Sequence, residues 1–457
     1  MHFKPINIKR WLIATTVLTA LLATAQPATD TVTEPKNQLD MTLQFMARGE
    51  TRYGGLPSAD EEGGSESDNG GNIASSNFIM GRSRLPIHFK RDWLEAQVTP
   101  QHNGVWGQAG KGAFNLYEVW AKFEARNGLF AQVGRIALNY DDERIIGSDD
   151  WAMASLSHDV LRLGYEGHGH KVHAILAYNQ NADVMTSGGN FYSGGAQPYK
   201  TMHTLWYHYD VPRFPLGASL LFMNIGMQAD KDNIGSFVRD KTIFQHLLGG
   251  YVKFTPKRWS VSASYYHQFG HSETNMKIDA WMASGKATFK PTATYDITAG
   301  FDYLSGDKYF AVPTEGAIGM TRHEVIRGFS TVYGSHHKFY GAMDFFYVST
   351  YFFGFTPGLQ NAYIGGSYRP INGLNLSTSY HYFATATKLE DMGQTLGHEW
   401  EFQARYALTR DVAFAAGVSL MWGSKTMERL KRSGTENTLR WGWLAININP
   451  RIFSIKW

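Results

Sequence analysis

The strongest constraint in this sequence is an apolar/polar alternation of period two that continues to the last residue. In Tyr295-Asp296-Ile297-Thr298-Ala299-Gly300-Phe301-Asp302-Tyr303 every odd position is apolar or aromatic and every even one is small or polar. The same alternation runs through Leu374–Tyr382, Trp400–Tyr406 and the ladder Val412, Phe414, Ala416, Val418, Leu420, Trp422. A chain with this period forms strands whose two faces meet different surroundings. No convincing helical period interrupts it, which excludes βαβ architectures.

The connections come in two sizes that alternate along the chain. Tight turns fall at Lys90-Arg91-Asp92, Arg126-Asn127-Gly128, Gly167 to His170, and Pro212 to Pro215. Four more fall at Thr255-Pro256-Lys257, Lys290-Pro291-Thr292, Arg369 to Gly373, and Thr409-Arg410-Asp411. Most carry the Pro, Gly, Asn or Asp that hairpins require. Longer polar segments separate them, at 54–74, 104–111, 140–156, 182–199, 230–240, 270–274, 305–358, 387–395 and 424–435. Eight turns join eight strand pairs, and one strand is left at each end. This predicts an all-β, transmembrane antiparallel β-barrel of about 18 strands, with short periplasmic turns and long extracellular loops. A soluble sandwich would not alternate short and long connections, and its strands average only about 5–6 residues. Trp120, Trp206, Trp400, Trp422, Trp441 and Trp443 stand near strand ends, where an interfacial aromatic girdle is expected.

The N-terminus reads separately. Lys4, Lys9 and Arg10 precede an apolar stretch, Trp11 to Leu22, and the small-residue site Ala23-Thr24-Ala25. Residues 1–25 are thus expected to be a secretory signal peptide, with 26–457 the barrel. The whole chain carries a formal charge of +3. Removing three basic residues and no acidic ones leaves the mature chain neutral. No apolar run long enough for a helical span follows. The absence of cysteine excludes disulfides, thiol nucleophiles and cysteine metal sites. Balanced charge and export argue against nucleic acid as a partner. Neither a cofactor nor a metal site is expected. His168-Gly169-His170 with His173 has ligand-like spacing but lacks a carboxylate or cysteine beside it. No nucleophile or water-activating constellation accompanies His158-Asp159, so the chain does not read as an enzyme.

Residues Gly134-Arg135-Ile136-Ala137-Leu138-Asn139-Tyr140-Asp141-Asp142-Glu143-Arg144-Ile145-Ile146-Gly147, followed by Asp150-Trp151 and Asp159-Val160-Leu161-Arg162-Leu163, resemble a signature of alginate-export outer-membrane porins. Phe329–Gly334, His337–Gly341 and Asp344 resemble a late loop of the same family. Ile136 and His158 depart from the family pattern. The resemblance implies an 18-stranded passive channel whose inner wall and long loops select a polyanionic saccharide. Arg135, Asp142, Arg144, Asp159 and Arg162 are the channel-lining residues that the motif suggests.

With the apolar face turned to lipid, inward positions include Arg48, Glu50 and Arg52 on the first strand and Arg82 and Arg84 on the second. Glu95, Gln97, Glu118, Lys122, Arg162 and Glu166 follow round the wall, and Asp296, Asp302, His381, Glu399, Glu401 and Arg405 lie on its far side. The expected lumen is mixed in charge, with one basic stripe at Arg48, Arg52, Arg82 and Arg84. Segment 140–156 is long enough to fold inward as a constriction. Basic residues Lys425, Arg429, Lys431 and Arg432 read as a solvated or lipopolysaccharide-contacting loop. At the C-terminus, Phe453, Ile455 and Trp457 form the alternating aromatic signal that barrel-assembly machinery reads. The expected protein is a channel in the outer membrane of a Gram-negative bacterium for hydrophilic, anionic or oligosaccharide solutes, with membrane lipid and lipopolysaccharide as its surroundings. The alternative is a non-transporting barrel, closed by segment 305–358, that acts as an adhesin, a scaffold or part of an envelope complex.

Overall fold

A computed structural model describes residues 36–54, 75–108, 112–181, 192, 197–229, 241–307, 325–346, 356–389, 392–431 and 438–457. The signal-peptide segment 1–25 lies outside the described residues. Twenty-two strand segments join one sheet. Three staves are each split into two segments, at Leu43, at Leu85-Pro86 and at Asn449-Pro450, and Val325–Ile326 is a two-residue bridge in a loop. Twenty-two minus three minus one gives the 18 strands of a closed antiparallel barrel.

Each strand pairs with its sequence neighbours, and the ends close on each other. Gln44–Tyr53 pairs with Leu439–Ile448, and Asn37–Thr42 with Arg451–Lys456. At the rim, Asn37 and Trp457 exchange both backbone hydrogen bonds, at 3.0 and 3.1 Å. All eight tight connections fall at the expected turns, between strands such as Thr242–Phe254 and Trp259–His271. The split staves share a cause. Proline has no N–H to donate, and Pro86, Pro100 and Pro450 lie side by side across the seam. Their carbonyls accept from Thr42, Leu85 and Leu43 at 3.0–3.1 Å.

The lipid-facing side is predominantly apolar. Leu205, Leu220, Leu248 and Ile297 are each more than half exposed on the isolated chain, whereas the alternate residues Thr204, Trp206 and Leu247 are buried. Trp259 packs on Phe289 and Trp93 stacks on Phe123 beside the turns, as an interfacial girdle requires. Trp422 also faces out. The girdle expectation fails for Trp206, Trp441 and Trp443, which point inward and are buried. Trp120 also turns in and donates to Glu118 at 3.2 Å. Placing all aromatics on the lipid side assumes a wet interior. Here the interior is filled by chain: Trp206 donates to Asp141 of an inner loop at 3.1 Å, and Trp151 of that loop packs edge-on against Trp441 and Trp443.

Because closure pairs every stave with two neighbours, the ladder must break as a unit. Detergent-extracted protein kept below boiling should therefore migrate faster on a gel than boiled protein and show β-type circular dichroism. Equal mobility with a helical spectrum would refute the closed barrel.

Candidate functional site: a lumen crossed by two loops

Two connections on the long-loop side turn into the barrel. The first runs from residue 137 to 157, between strands Leu129–Ile136 and His158–Gly167. The second is the described part of the 305–358 connection, residues 325–346. They meet in mid-lumen. Ile146 and Tyr333 form a parallel bridge, and the Gly147 N–H donates to the Tyr333 carbonyl at 2.8 Å. The Ser335 N–H and hydroxyl donate to Glu143, the hydroxyl at 2.7 Å. Leu138, Ile145, Ile146, Phe329 and Tyr333 make a dry apolar seam around this junction. The His337 ring stacks on Trp151 at 4.0 Å.

The wall holds the first loop from two opposite sides. On the seam side, Arg48 donates to the Trp151 carbonyl at 3.0 Å, and Arg82 donates to the carbonyls of Asp150 and Ala152. Arg84 pairs with the Asp150 carboxylate at 2.7 Å and also reaches Ser155. On the far side, Arg144 leaves the loop to meet Asp302 of strand Tyr295–Leu304 at 3.1 Å. Asp142 at 3.3 Å, the Tyr340 hydroxyl at 3.0 Å and the Phe339 ring at 4.1 Å complete its surroundings. Burial works to lower this guanidinium's pKa, but Asp302, Tyr340 and Asp142 outweigh it and hold the pKa well above the ordinary value. The Asp141 carboxyl is also raised, by burial, which for an acid disfavours the charged form. The second loop is held by Gln268, which exchanges two hydrogen bonds with Ser330, and by Glu399, which accepts from the Met343 N–H at 2.9 Å.

The basic stripe therefore sits where the alternation put it but does not line open water. Arg48 is neutralised by Glu50 at 2.8 Å, and Arg82 and Arg84 share Asp150. Arg52, the most exposed of the four, also rests on Glu50. Arg162 faces inward and bonds Gln132 and the Tyr140 hydroxyl.

Arg135 and Asp159 are a correction. They form a two-pronged pair, each bond 2.8 Å, on the lipid-facing side rather than in the channel. Arg135 shares a face with Val133 and Leu129, and Asp159 with Leu161. Pairing between strands Ala113–Glu124 and Leu129–Ile136 stops at Val119 and Arg135. Above that rung the Leu116 carbonyl has lost its strand partner, and Arg135 donates to it at 3.3 Å. Phe453, Ile455 and Trp457 face outward on the closing strand. The histidines of the 168–173 turn diverge: His168 meets Tyr165, His170 meets Tyr207, and His173 meets Tyr140 and Glu166. Lys431 turns inward and is buried over the Phe346 ring, so the basic loop is not wholly solvated.

Below the crossed loops, toward the turns, lie two spaces open to water, of about 510 and 440 Å³. The larger is lined by Arg144, Lys286, Asp296, His381 and Glu401, among others, and the smaller by Lys171, Asp210 and Lys253. Lys253 and Lys286 are exposed to these spaces, and among the described residues neither has a carboxylate at ion-pair distance. Register sets them in one row, Lys253 opposite Ser262 and Ser262 opposite Lys286. Sequence reasoning missed both, although each holds the polar position of its own alternation. In Lys277–Phe289 the face bearing Lys286 also bears Ile278, Ala280 and Met282, which blurs the pattern.

No curated protein matches this chain. Similar solved structures include OccK11 (OpdR) of Pseudomonas aeruginosa, with 12% identity, 93% of this chain and 100% of that one covered, and a TM-score of 0.58. A BenF-like porin from Pseudomonas fluorescens Pf-5 has 12% identity, covers 91% and 99%, and scores 0.59. OccAB1 of Acinetobacter baumannii has 12% identity, covers 91% and 97%, and scores 0.57. At such identities these likenesses speak for the barrel fold. A family profile described as alginate export matches residues 99–429, which includes both inner loops and most of the wall. The chain belongs to the alginate export family of β-barrel porins, which places it in the Gram-negative outer membrane.

Proposed function

We propose that this outer-membrane channel passes small hydrophilic anions, acidic saccharides among them, by diffusion around the crossed loops. The observation that carries the reading is the pair Lys253 and Lys286. They are lumen-facing cations without carboxylate partners among the described residues, set about 10 Å apart by two strand spacings. Most other charges near the constriction are tied to partners and committed to holding the loop: Arg144 to Asp302 and Asp142, Arg82 and Arg84 to a shared Asp150, Arg48 and Arg52 to a shared Glu50. Paired charges contribute less field at a distance, whereas two like charges on one wall of an aqueous space add. A neighbour of similar fold, OccK2 (OpdF) of Pseudomonas aeruginosa, was solved in complex with glucuronate, and that anion is a reasonable first test solute here.

A closed barrel is the second reading. The observation that favours it is the dry seam of Leu138, Ile146, Phe329 and Tyr333 in mid-lumen. Single-channel recording separates the two, since a diffusion channel gives unitary steps and a plugged scaffold gives none.

Under the first reading, replacing Lys253 and Lys286 with Gln should move the reversal potential in a salt gradient toward cations, and more so at low salt than at high salt. An unchanged reversal potential at low salt would sink the anion assignment. A second expectation concerns the loop. Asp302→Ala removes the wall carboxylate of the Arg144 guanidinium and leaves it Asp142 of its own loop, so the penalty stays below the roughly 3–5 kcal/mol of a buried charge left with no partner. That strain falls on a loop rather than on the ladder. The variant should stay heat-modifiable while showing larger or noisier conductance. Wild-type conductance in that variant would mean that loop 137–157 does not set the constriction.

A further inference from the structure

The turn side of the barrel carries a charge pattern that the lumen alone does not explain. Arg213, Lys257, Arg258 and Lys290 lie on three successive turns and are all exposed. Backbone hydrogen bonds tie these turns into one arc: Thr255 N–H donates to Pro215 O at 2.8 Å, and Lys290 N–H to Arg258 O at 2.7 Å. Among the described residues none of the four has a carboxylate at ion-pair distance, whereas Arg369 and Arg410 on later turns do, through Asp296 and Asp411. Directly inside this arc stand Lys253 and Lys286, on strands that end at the same turns. Four cations on the lip and two just inside it thus stand on one arc of the barrel, with Asp210 and Asp296 as the acidic residues beside the two lysines' spaces.

Backbone conformation supplies an independent sign. Arg213 and Lys257 have φ of +60° and +46°, the left-handed region in which Gly or Asn sits with less strain. Hairpin turns ordinarily fill such positions with those residues. Here two of them carry long cationic side chains instead, which is explicable if the charge itself is used.

We propose that this basic lip is a capture surface for multiply charged anions approaching from the periplasmic side. The inference rests on the anion-channel reading above and adds to it a side and a valence. Fixed charges of one sign at a pore mouth raise the local concentration of counter-ions and hence their rate of entry. A monovalent anion meets one cation at a time, but an ion bearing several charges spans neighbours, so the gain grows steeply with valence. In a passive channel the lip does not set the direction of net flow. It makes access from one side faster.

The test uses the full-length protein in a planar bilayer, with orientation fixed by one-sided addition, and inositol hexakisphosphate as the probe. Added on the turn side, the probe should block current at a concentration about tenfold or more below that needed on the loop side. The quadruple variant Arg213→Gln, Lys257→Gln, Arg258→Gln, Lys290→Gln should remove that asymmetry. The variant should stay anion-selective, with a smaller shift in chloride-to-potassium reversal potential than the Lys253→Gln, Lys286→Gln variant shows, and high salt should erase the asymmetry in wild type. Arg126→Gln, an exposed turn cation on another arc, should leave it intact. Should the quadruple variant fail to assemble, the pair Arg213→Gln and Lys290→Gln should reduce the asymmetry in part. Equal block from both sides, or asymmetry that survives the assembled variant, would overturn the lip proposal while leaving the anion channel standing. An anion-indifferent reversal potential in wild type would overturn both.

Discussion

A bilayer interior offers no hydrogen-bond partner to a peptide group. Everything else in this molecule follows from that restriction. It demands that the first stave find the last, which Asn37 and Trp457 do at the rim with two backbone hydrogen bonds. It forces alternation on every strand, because one face must be hydrocarbon and the other is free. It also explains an arginine on the outer face. Where the strand Leu129–Ile136 ends before its neighbour, the Leu116 carbonyl would stand unpaired, and the Arg135 side chain takes the place of the missing strand, with Asp159 balancing its charge.

Inside the wall a different rule operates. An 18-strand barrel is too wide for its own side chains to fill, and here two loops enter to occupy the space. Once inside they are treated as core: Leu138 and Phe329 have no exposed surface, and the buried charge of Arg144 is met by Asp302, Asp142 and the Tyr340 hydroxyl. The inner charges therefore divide into those that hold the loops and those that face water. Arg82 and Arg84 belong to the first group, Lys253 and Lys286 to the second.

That division explains what could be read from sequence. Strand count, turn positions, chain closure and the inward aim of Arg48, Arg82 and Arg84 are consequences of period two, a local property. Whether an inward arginine meets water or the Asp150 carboxylate depends on where residues 137–157 travel, and no local pattern encodes that path. Trp206, Trp441 and Trp443 failed as girdle residues for the same reason, since aromatics on the inner face become sensible only when a loop covers them. Arg135 and Asp159 were visible as a motif. Their direction could be read from the parity of Leu129 and Val133, but motif membership suggested the channel instead.

The line of Pro86, Pro100 and Pro450 divides the seam into an upper and a lower part. Below it lie three short strips, of which Asn37–Thr42 pairs with both Ile87–Arg91 and Arg451–Lys456. Against the last strand the register shifts at Met41/Thr42, whereas Asn37–Thr42 on Ile87–Arg91 continues the register of Gln44–Tyr53 on Ser75–Arg84. A crease of this kind uncouples the two halves of a closing zipper. The lower strip, which includes the chain's last residues, can find its alignment without committing the upper wall, and an early slip in one part need not be inherited by the other.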